Sequence, residues 1–289
     1  MVFLGFTIKP NIYGCLAART IGIPAIANIS GLGTTFIRGG LLTRLVRRMY
    51  RVALARARIV FFENPDDLKL FVAQDIIRSA QARLIPGSGI DLDRFAPAPL
   101  VRGPVTFLLI ARLLGDKGVR EFVRAAKLVR RDFPDARFQL LGDLDPGNRS
   151  SIGPSELHRW LSAGTVEHFE QADDVRPFIE NATAIVLPSY REGLPRTLLE
   201  GAAMARPLIA TDVAGCRELV EPGINGFLCE PFSAESLAEA MKAFLLLTWA
   251  ERAAMGVESR RNVERGFSQD AVSAAYLQAI GECLGAEAT

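Results

Sequence analysis

The stretch VTFLLIARLLGDKGVREFVRAAKLVRRDFPDARFQLLGD, Val105–Asp143, decides the fold. Val105–Ile110 is apolar but for Thr106, as expected of a parallel strand buried on both faces. From Gly118 to Arg131 the period changes. Val119, Phe122, Val123, Ala126 and Val129 share one helical face, with Arg and Lys on the other. Arg137–Leu141 then reads as a second strand ending in Gly142-Asp143. Working outward, Ala184–Leu187, Leu208–Thr211 and Gly226–Cys229 are three more short apolar runs. Strands of this kind alternating with helices argue for a doubly wound α/β sheet rather than a mixed α+β domain.

The chain around this segment has 289 residues, enough for two ordinary domains. With 49% hydrophobic and 23% charged residues it has a globular composition, and a net charge of +2 argues against nucleic acid as a partner. Cys15, Cys216, Cys229 and Cys283 lack metal-ligand spacing, and His158 and His168 are the only histidines. A zinc site, a Ser-His-Asp triad or a disulfide framework therefore has little material, and a reducing cytoplasm is expected. No apolar run approaches the ~20 residues of a membrane span.

The best linker is Ile85–Pro99, IPGSGIDLDRFAPAP, dense in Gly and Pro. It divides the chain into residues 1–97, a domain at 98–268, and a closing helix within 269–289 that spans Asp270–Cys283. The N-terminal piece offers two clear strand candidates, Ile23–Ala27 and Ile59–Phe62, which is thin for an independent sheet.

Leu41–Arg58, LLTRLVRRMYRVALARAR, places Arg44, Arg47, Arg48, Arg51 and Arg58 on one helical face. Leu41, Leu42, Leu45, Met49, Val52 and Ala53 occupy the remainder, and no acidic residue occurs from Arg38 to Arg58. Such a basic amphipathic helix suits an anionic membrane surface or a lipid-linked anionic substrate. The plainer alternative is a surface helix whose apolar side packs on a sheet.

Three clusters lie just beyond strands, where open α/β sheets bind ligands. Ala111–Gly118 brings out Arg112 and Lys117 beside a glycine-rich turn and a helix N-terminus, a combination suited to a diphosphate. Pro188–Glu200 follows another strand. There Gly193 permits close backbone approach, Pro195 suits a first helical turn, Glu192 sits in the loop and Glu200 falls on a largely apolar helix. A carboxylate at Glu200 could accept from vicinal hydroxyls, and if buried it needs partners. Thr211–Glu218 is the third cluster, read as opening another helix, with Gly142-Asp143 and Asp173-Asp174 at further strand ends.

These residues together resemble the group 1 (family four) retaining glycosyltransferases of the GT-B fold, two Rossmann-like domains of which the N-terminal one is here incomplete. Glu192 and Glu200 match that family's glutamate pair, seven residues between them, and Arg112 with Lys117-Gly118 matches its diphosphate-binding pair. Thr7–Gly14 with Ile29–Thr34 is similar to bacterial enzymes that extend polyprenyl-diphosphate-linked oligosaccharides. The resemblance implies a sugar moved with retention from a nucleotide diphosphate donor, a UDP-hexose or UDP-N-acetylhexosamine, to a lipid-linked saccharide. No cofactor and no metal are implied. Arg112, Lys117 and Glu192 would be catalytic, with Ser30, Gly31, Gly142, Asp174, Gly193, Leu194, Pro195 and Glu200 binding substrate. The enzyme would work at the cytoplasmic face of the inner membrane, held there by the basic helix 41–58.

Two features depart from the family. Ser30-Gly31-Leu32 stands where many members have a histidine before Gly-Leu, and the βα units that precede the segment at Thr7 are missing. The expected consequences are an exposed sheet edge and an uncovered core face in the N-terminal piece. The alternative reading is therefore a truncated donor-binding remnant that transfers nothing, and a more distant one is a sugar-nucleotide epimerase.

Overall fold

The structure, a computed structural model, describes residues 1–33 and 40–285, so Thr34 and Arg38 of the stretches above lie outside the described residues. The chain forms two compact units. One comprises Met1–Gly89, Arg191–Pro195 and Phe267–Thr289, the other Ile90–Tyr190 and Arg196–Gly266.

In the first unit, β1 (Phe3–Phe6), β2 (Ala25–Ile29), β3 (Ile59–Phe62) and β4 (Ala82–Leu84) form a parallel sheet in that order. Only β2 and β3 have the wholly buried pattern legible as strands, while β1 and β4 are half-exposed edges too short and mixed to read. The two strand candidates thus become four. One face packs on α1 (Cys15–Thr20), α2 (Leu41–Leu54) and α3 (Pro65–Ala73), through Ile12, Tyr50, Leu54, Phe62 and Phe71. The other face is covered by the closing helix Gln269–Leu284, whose Val272 and Ala279 meet Ile26, Ile59 and Phe61. Tyr276 adds edge-to-face contacts with Phe61 at 5.1 Å and Phe6 at 5.6 Å. The expected uncovered core face is therefore corrected: the C-terminal helix returns to bury it.

The basic helix also differs from its reading. α2 ends at Leu54, so Arg58 is not on it, and its buried residues are Thr43, Tyr50, Ala53 and Leu54. Leu41 (80% exposed), Leu42 (60%) and Leu45 (55%) face outward instead, in the same exposed surface as Arg44, Arg48 and Arg51.

The second unit is a six-stranded parallel sheet ordered β10-β9-β8-β5-β6-β7. Its strands are β5 (Thr106–Ile110), β6 (Arg137–Leu141), β7 (Glu167–Phe169), β8 (Ala184–Leu187), β9 (Leu208–Thr211) and β10 (Gly226–Cys229). Its helices are α4 (Val119–Val129), α5 (Pro154–Ser162), α6 (Arg176–Asn181), α7 (Arg196–Ala203), α8 (Ala234–Leu246) and α9 (Trp249–Gly266). α4 buries the five apolar positions its period assigns to the core, against Phe107, Phe138 and Phe244. Phe107 and Phe138 stack at 5.4 Å across neighbouring strands. Each such ring contributes roughly 1.5–3 kcal/mol on burial. Strand β7 is short and half-polar, and its sequence carries no strand signal.

Candidate functional site

Strand order in the second unit reverses at β5, which pairs with β6 on one side and β8 on the other. In an open α/β sheet such a switch point leaves a crevice at the carboxyl ends of the strands. The loop leaving β5 and the loop leaving β8 meet there. Gly118 adopts φ 71°, and a Cβ on it would lie 2.0 Å from the Pro188 carbonyl oxygen. Glycine is required by both conformation and space. The Asp116 carbonyl accepts from the Tyr190 N–H at 3.1 Å, and the Asp116 N–H donates to Ser150 Oγ at 2.8 Å. The turn carrying Lys117 is thereby tied to both neighbouring loops.

Arg112 leaves the same loop with 62% of its side chain exposed and pairs with Asp145 at 2.8 Å. An ion pair this exposed is worth about 0–1 kcal/mol, so an incoming diphosphate can take the guanidinium from Asp145. Lys117 is engaged by the protein as well. Gly142, at φ 141°, sits where a Cβ would be 2.1 Å from the Ala111 carbonyl, pinning the end of β6 to the start of the cationic loop. Asp174 is turned onto Arg176, whose guanidinium holds the carboxyl down at about 2.

Glu200 lies in α7 among buried Leu198, Leu199, Gly201 and Ala202. Burial pushes its carboxyl up, opposed by Arg196, whose Nε donates to Oε1 at 2.8 Å. The partner its surroundings demand is thus one turn back on the same helix. Arg196 is 65% exposed while Glu200 is 9% exposed, so an exposed guanidinium partners a nearly buried carboxylate. After β9 the segment Asp212–Leu219 forms turns, not the helix its pattern suggested. Gly215, at φ 86°, interrupts it, and its N–H is accepted by Glu218 at 2.7 Å, a local bond that competes with helix formation.

Glu192, Gly193, Leu194 and Pro195 belong to the first unit, as do Ser30 and Gly31. The structure brings these two groups together by backbone contact. A Cβ on Gly193 would meet the Ser30 carbonyl oxygen at 2.5 Å, and one on Gly31 (φ 102°) would meet the Gly193 nitrogen at 2.9 Å. Beneath the loop lies a buried polar set that sequence reading missed: Asn11, Asn28, Glu63, Asn64 and Asp67, with Arg191. Asn64-Pro65 carries a helix-cap signal, Asn before a first-turn proline, but nothing in it announces a second role. Among the described residues, no group of three or more His, Cys, Asp or Glu is placed to hold a metal ion, and no helix is long and apolar enough to cross a membrane.

Two parallel sheets, with cations at the strand ends of the second, define a class. Residues 104–246 match the family described as glycosyl transferases group 1, so the chain carries a glycosyltransferase group 1 domain and is a transferase of the GT-B architecture. In particular, it is 28% identical to the N,N'-diacetylbacillosaminyl-diphospho-undecaprenol alpha-1,3-N-acetylgalactosaminyltransferase of Campylobacter jejuni, over 91% of this chain and 70% of that one. It is 25% identical to the UDP-Gal:alpha-D-GlcNAc-diphosphoundecaprenol alpha-1,3-galactosyltransferase of Escherichia coli, over 81% of this chain and 63% of that one. The chain spans half the length of another relative, the putative colanic acid biosynthesis glycosyltransferase WcaL of Escherichia coli. Among solved structures, HepE of Anabaena in complex with UDP superposes with a TM-score of 0.83 at 18% identity, over 97% of this chain and 79% of that one.

Proposed function

We propose that the protein moves a hexose or N-acetylhexosamine from a UDP-sugar to a polyprenyl-diphosphate-linked saccharide, with retention of configuration and without a metal. The observation that carries this reading is the pair of cations, Arg112 and Lys117, held at the switch point of a glycosyltransferase group 1 domain. The relatives named for undecaprenyl-diphosphate acceptors and the UDP complex of a structural neighbour support the choice of substrates.

In this reading Arg112 and Lys117 neutralise the departing diphosphate, the charge that develops as the glycosidic bond breaks. Glu192 holds donor-sugar hydroxyls, with Gly193, Leu194 and Pro195 supplying close backbone. Glu200 accepts from the ribose diol, and Ser30, Gly31, Gly142 and Asp174 line the substrates. The acceptor hydroxyl attacks from the face the diphosphate leaves, and a phosphate oxygen takes its proton, so no histidine base is needed. The outward Leu41, Leu42 and Leu45 of α2, among Arg44, Arg48 and Arg51, support a peripheral seat on the cytoplasmic face of the inner membrane.

Product analysis tests the reading. With an α-linked UDP-sugar and a polyprenyl-diphosphate saccharide, the new linkage read by proton NMR is expected to be α, with the rate unchanged by EDTA. A β product would overturn retention, and loss of rate in EDTA would overturn metal independence. Donor binding without transfer would favour the remnant.

A further inference from the structure

The loop Arg191–Pro195 is anchored residue by residue to the buried polar set of the first unit, and the anchors flank Glu192 on both sides. Asn64 is the centre of this arrangement, with 1% of its surface exposed. Its Oδ1 accepts from the Asp67 N–H at 2.8 Å, capping α3. That bond fixes the orientation of the carboxamide, because only the oxygen can accept there. The amide nitrogen is thereby aimed the other way and donates to the Gly193 carbonyl at 2.9 Å. Before Glu192, Arg191 is held by the fully buried Asp67 carboxylate. After it, the Leu194 N–H donates to Glu63, which also accepts from Asn28 Nδ2 at 3.0 Å. Asn28 is braced in turn by Asn11, whose Nδ2 donates to its carbonyl at 2.7 Å.

Such a set is a costly way to hold a surface loop. The fully buried Asp67 carboxylate is paired with Arg191, while the half-buried Glu63 is held by amide donors alone, and replacing buried ionic groups with apolar ones of similar volume is often neutral or stabilising. Stability alone does not explain it. Its effect is geometric: Asn64 and Asp67 tie the segment before and after Glu192 to one helix cap, and Glu63 ties the next peptide to β2.

We propose that Asn64 is a positioning residue for sugar transfer, its carboxamide setting the place at which Glu192 meets the donor sugar. Glu63 and Asp67 serve as its supporting anchors. The inference rests on the reading of Glu192 as a donor-sugar ligand. None of the three anchors needs to touch the substrate.

The test separates latch from cap. Serine caps a helix as well as asparagine does, but its side chain is too short to reach Gly193, so Asn64→Ser keeps α3 and cuts the latch. In the full chain, the affinities for UDP and for UDP-glucose, UDP-galactose and UDP-N-acetylgalactosamine are measured by calorimetry, beside kcat/KM for the preferred donor and thermal melting. The quantity to read is the tightening that the sugar adds over UDP. Asn64→Ser is expected to lower that ratio and to reduce kcat/KM by roughly ten- to a hundredfold, the effect of a misplacement of about 1 Å. UDP affinity and Tm should stay near wild type, which a merely structural role would not allow. In a Glu192→Gln background the serine substitution should cost little more, because both act on one contact. Wild-type values of the ratio and of kcat/KM in Asn64→Ser would overturn the inference, as would equal losses of UDP and UDP-sugar affinity. If Glu192→Gln itself leaves the ratio unchanged, the reading of Glu192 fails and the inference falls with it.

Discussion

The two units hold their proposed site residues in opposite ways. In the second unit the cations, Arg112 exposed and Lys117 half-buried, are carried on loops at a strand-order switch and shaped by glycines that no other residue could replace. In the first unit the loop bearing Glu192 is clamped from beneath by buried amides and carboxylates. The difference separates two tasks. Neutralising a diphosphate requires charge and access, and tolerates side chains that exchange partners. Placing a carboxylate against a particular sugar requires a fixed backbone.

The largest effect should come from the cationic loops. Lys117→Ala is expected to lower kcat by roughly a hundred- to a thousandfold, as loss of a preorganised charge stabiliser does, with Tm unchanged. Arg112→Ala should follow the same pattern more weakly, since its guanidinium is shared with Asp145. If either change instead melts the protein early, the comparison breaks, because the cation would be holding structure. Gly118→Ala should be different in kind. A Cβ 2.0 Å from a carbonyl oxygen, at φ 71°, predicts a loss of about 2–4 kcal/mol read in denaturant or thermal unfolding.

α2 and α4 sharpen the contrast on the fold's own terms. Both are basic amphipathic helices, but α4 buries its apolar positions and α2 leaves Leu41, Leu42 and Leu45 outside. Replacing those three leucines by serine should reduce co-sedimentation with vesicles containing anionic lipid severalfold. Donor affinity and Tm are expected to stay within experimental error. Undiminished vesicle binding would remove the membrane role of α2.

The smallest effect concerns the buried set. Burial raises the Glu63 carboxyl above the usual carboxylate range. Folding therefore disfavours its charged form, and the penalty grows as pH climbs from the ordinary value toward the raised one. Below that range Glu63 is neutral, like glutamine. Glu63→Gln should thus raise Tm at neutral pH by a few degrees at most, about what 1 kcal/mol gives in a chain of this size. The gain should vanish as pH falls toward 4. A loss of Tm at neutral pH would show that the ionised carboxylate stabilises the loop.

How much of this was legible in the sequence follows the same division. The strands β6, β8, β9 and β10 were readable residue for residue, because parallel strands with largely buried faces are mostly apolar, Arg137 and Gln139 of β6 being the polar exceptions beside Thr211 of β9. The strand-end cations and the glycines were readable too, since loops advertise their chemistry through residue type. Edge strands β1, β4 and β7 were not, being short and partly polar. Nor was the covering of the first sheet by Gln269–Leu284, a long-range contact with no local signal. The anchors Glu63, Asn64 and Asp67 stayed hidden for a related reason. A cap, a strand-end carboxylate and a first-turn aspartate look ordinary singly, and only the fold shows that they converge on Gly193 and its neighbours.

The most direct test of the account is transfer itself. The full chain is incubated with radiolabelled UDP-sugars and a polyprenyl-diphosphate-linked saccharide, and label is followed into the lipid phase for the wild type, Lys117→Ala and Glu192→Gln. The account predicts transfer from one or a few UDP-sugars by the wild type and its near loss in both variants, with both still folded. Transfer that survives both substitutions, or a wild type that moves no sugar from any UDP donor, would contradict it.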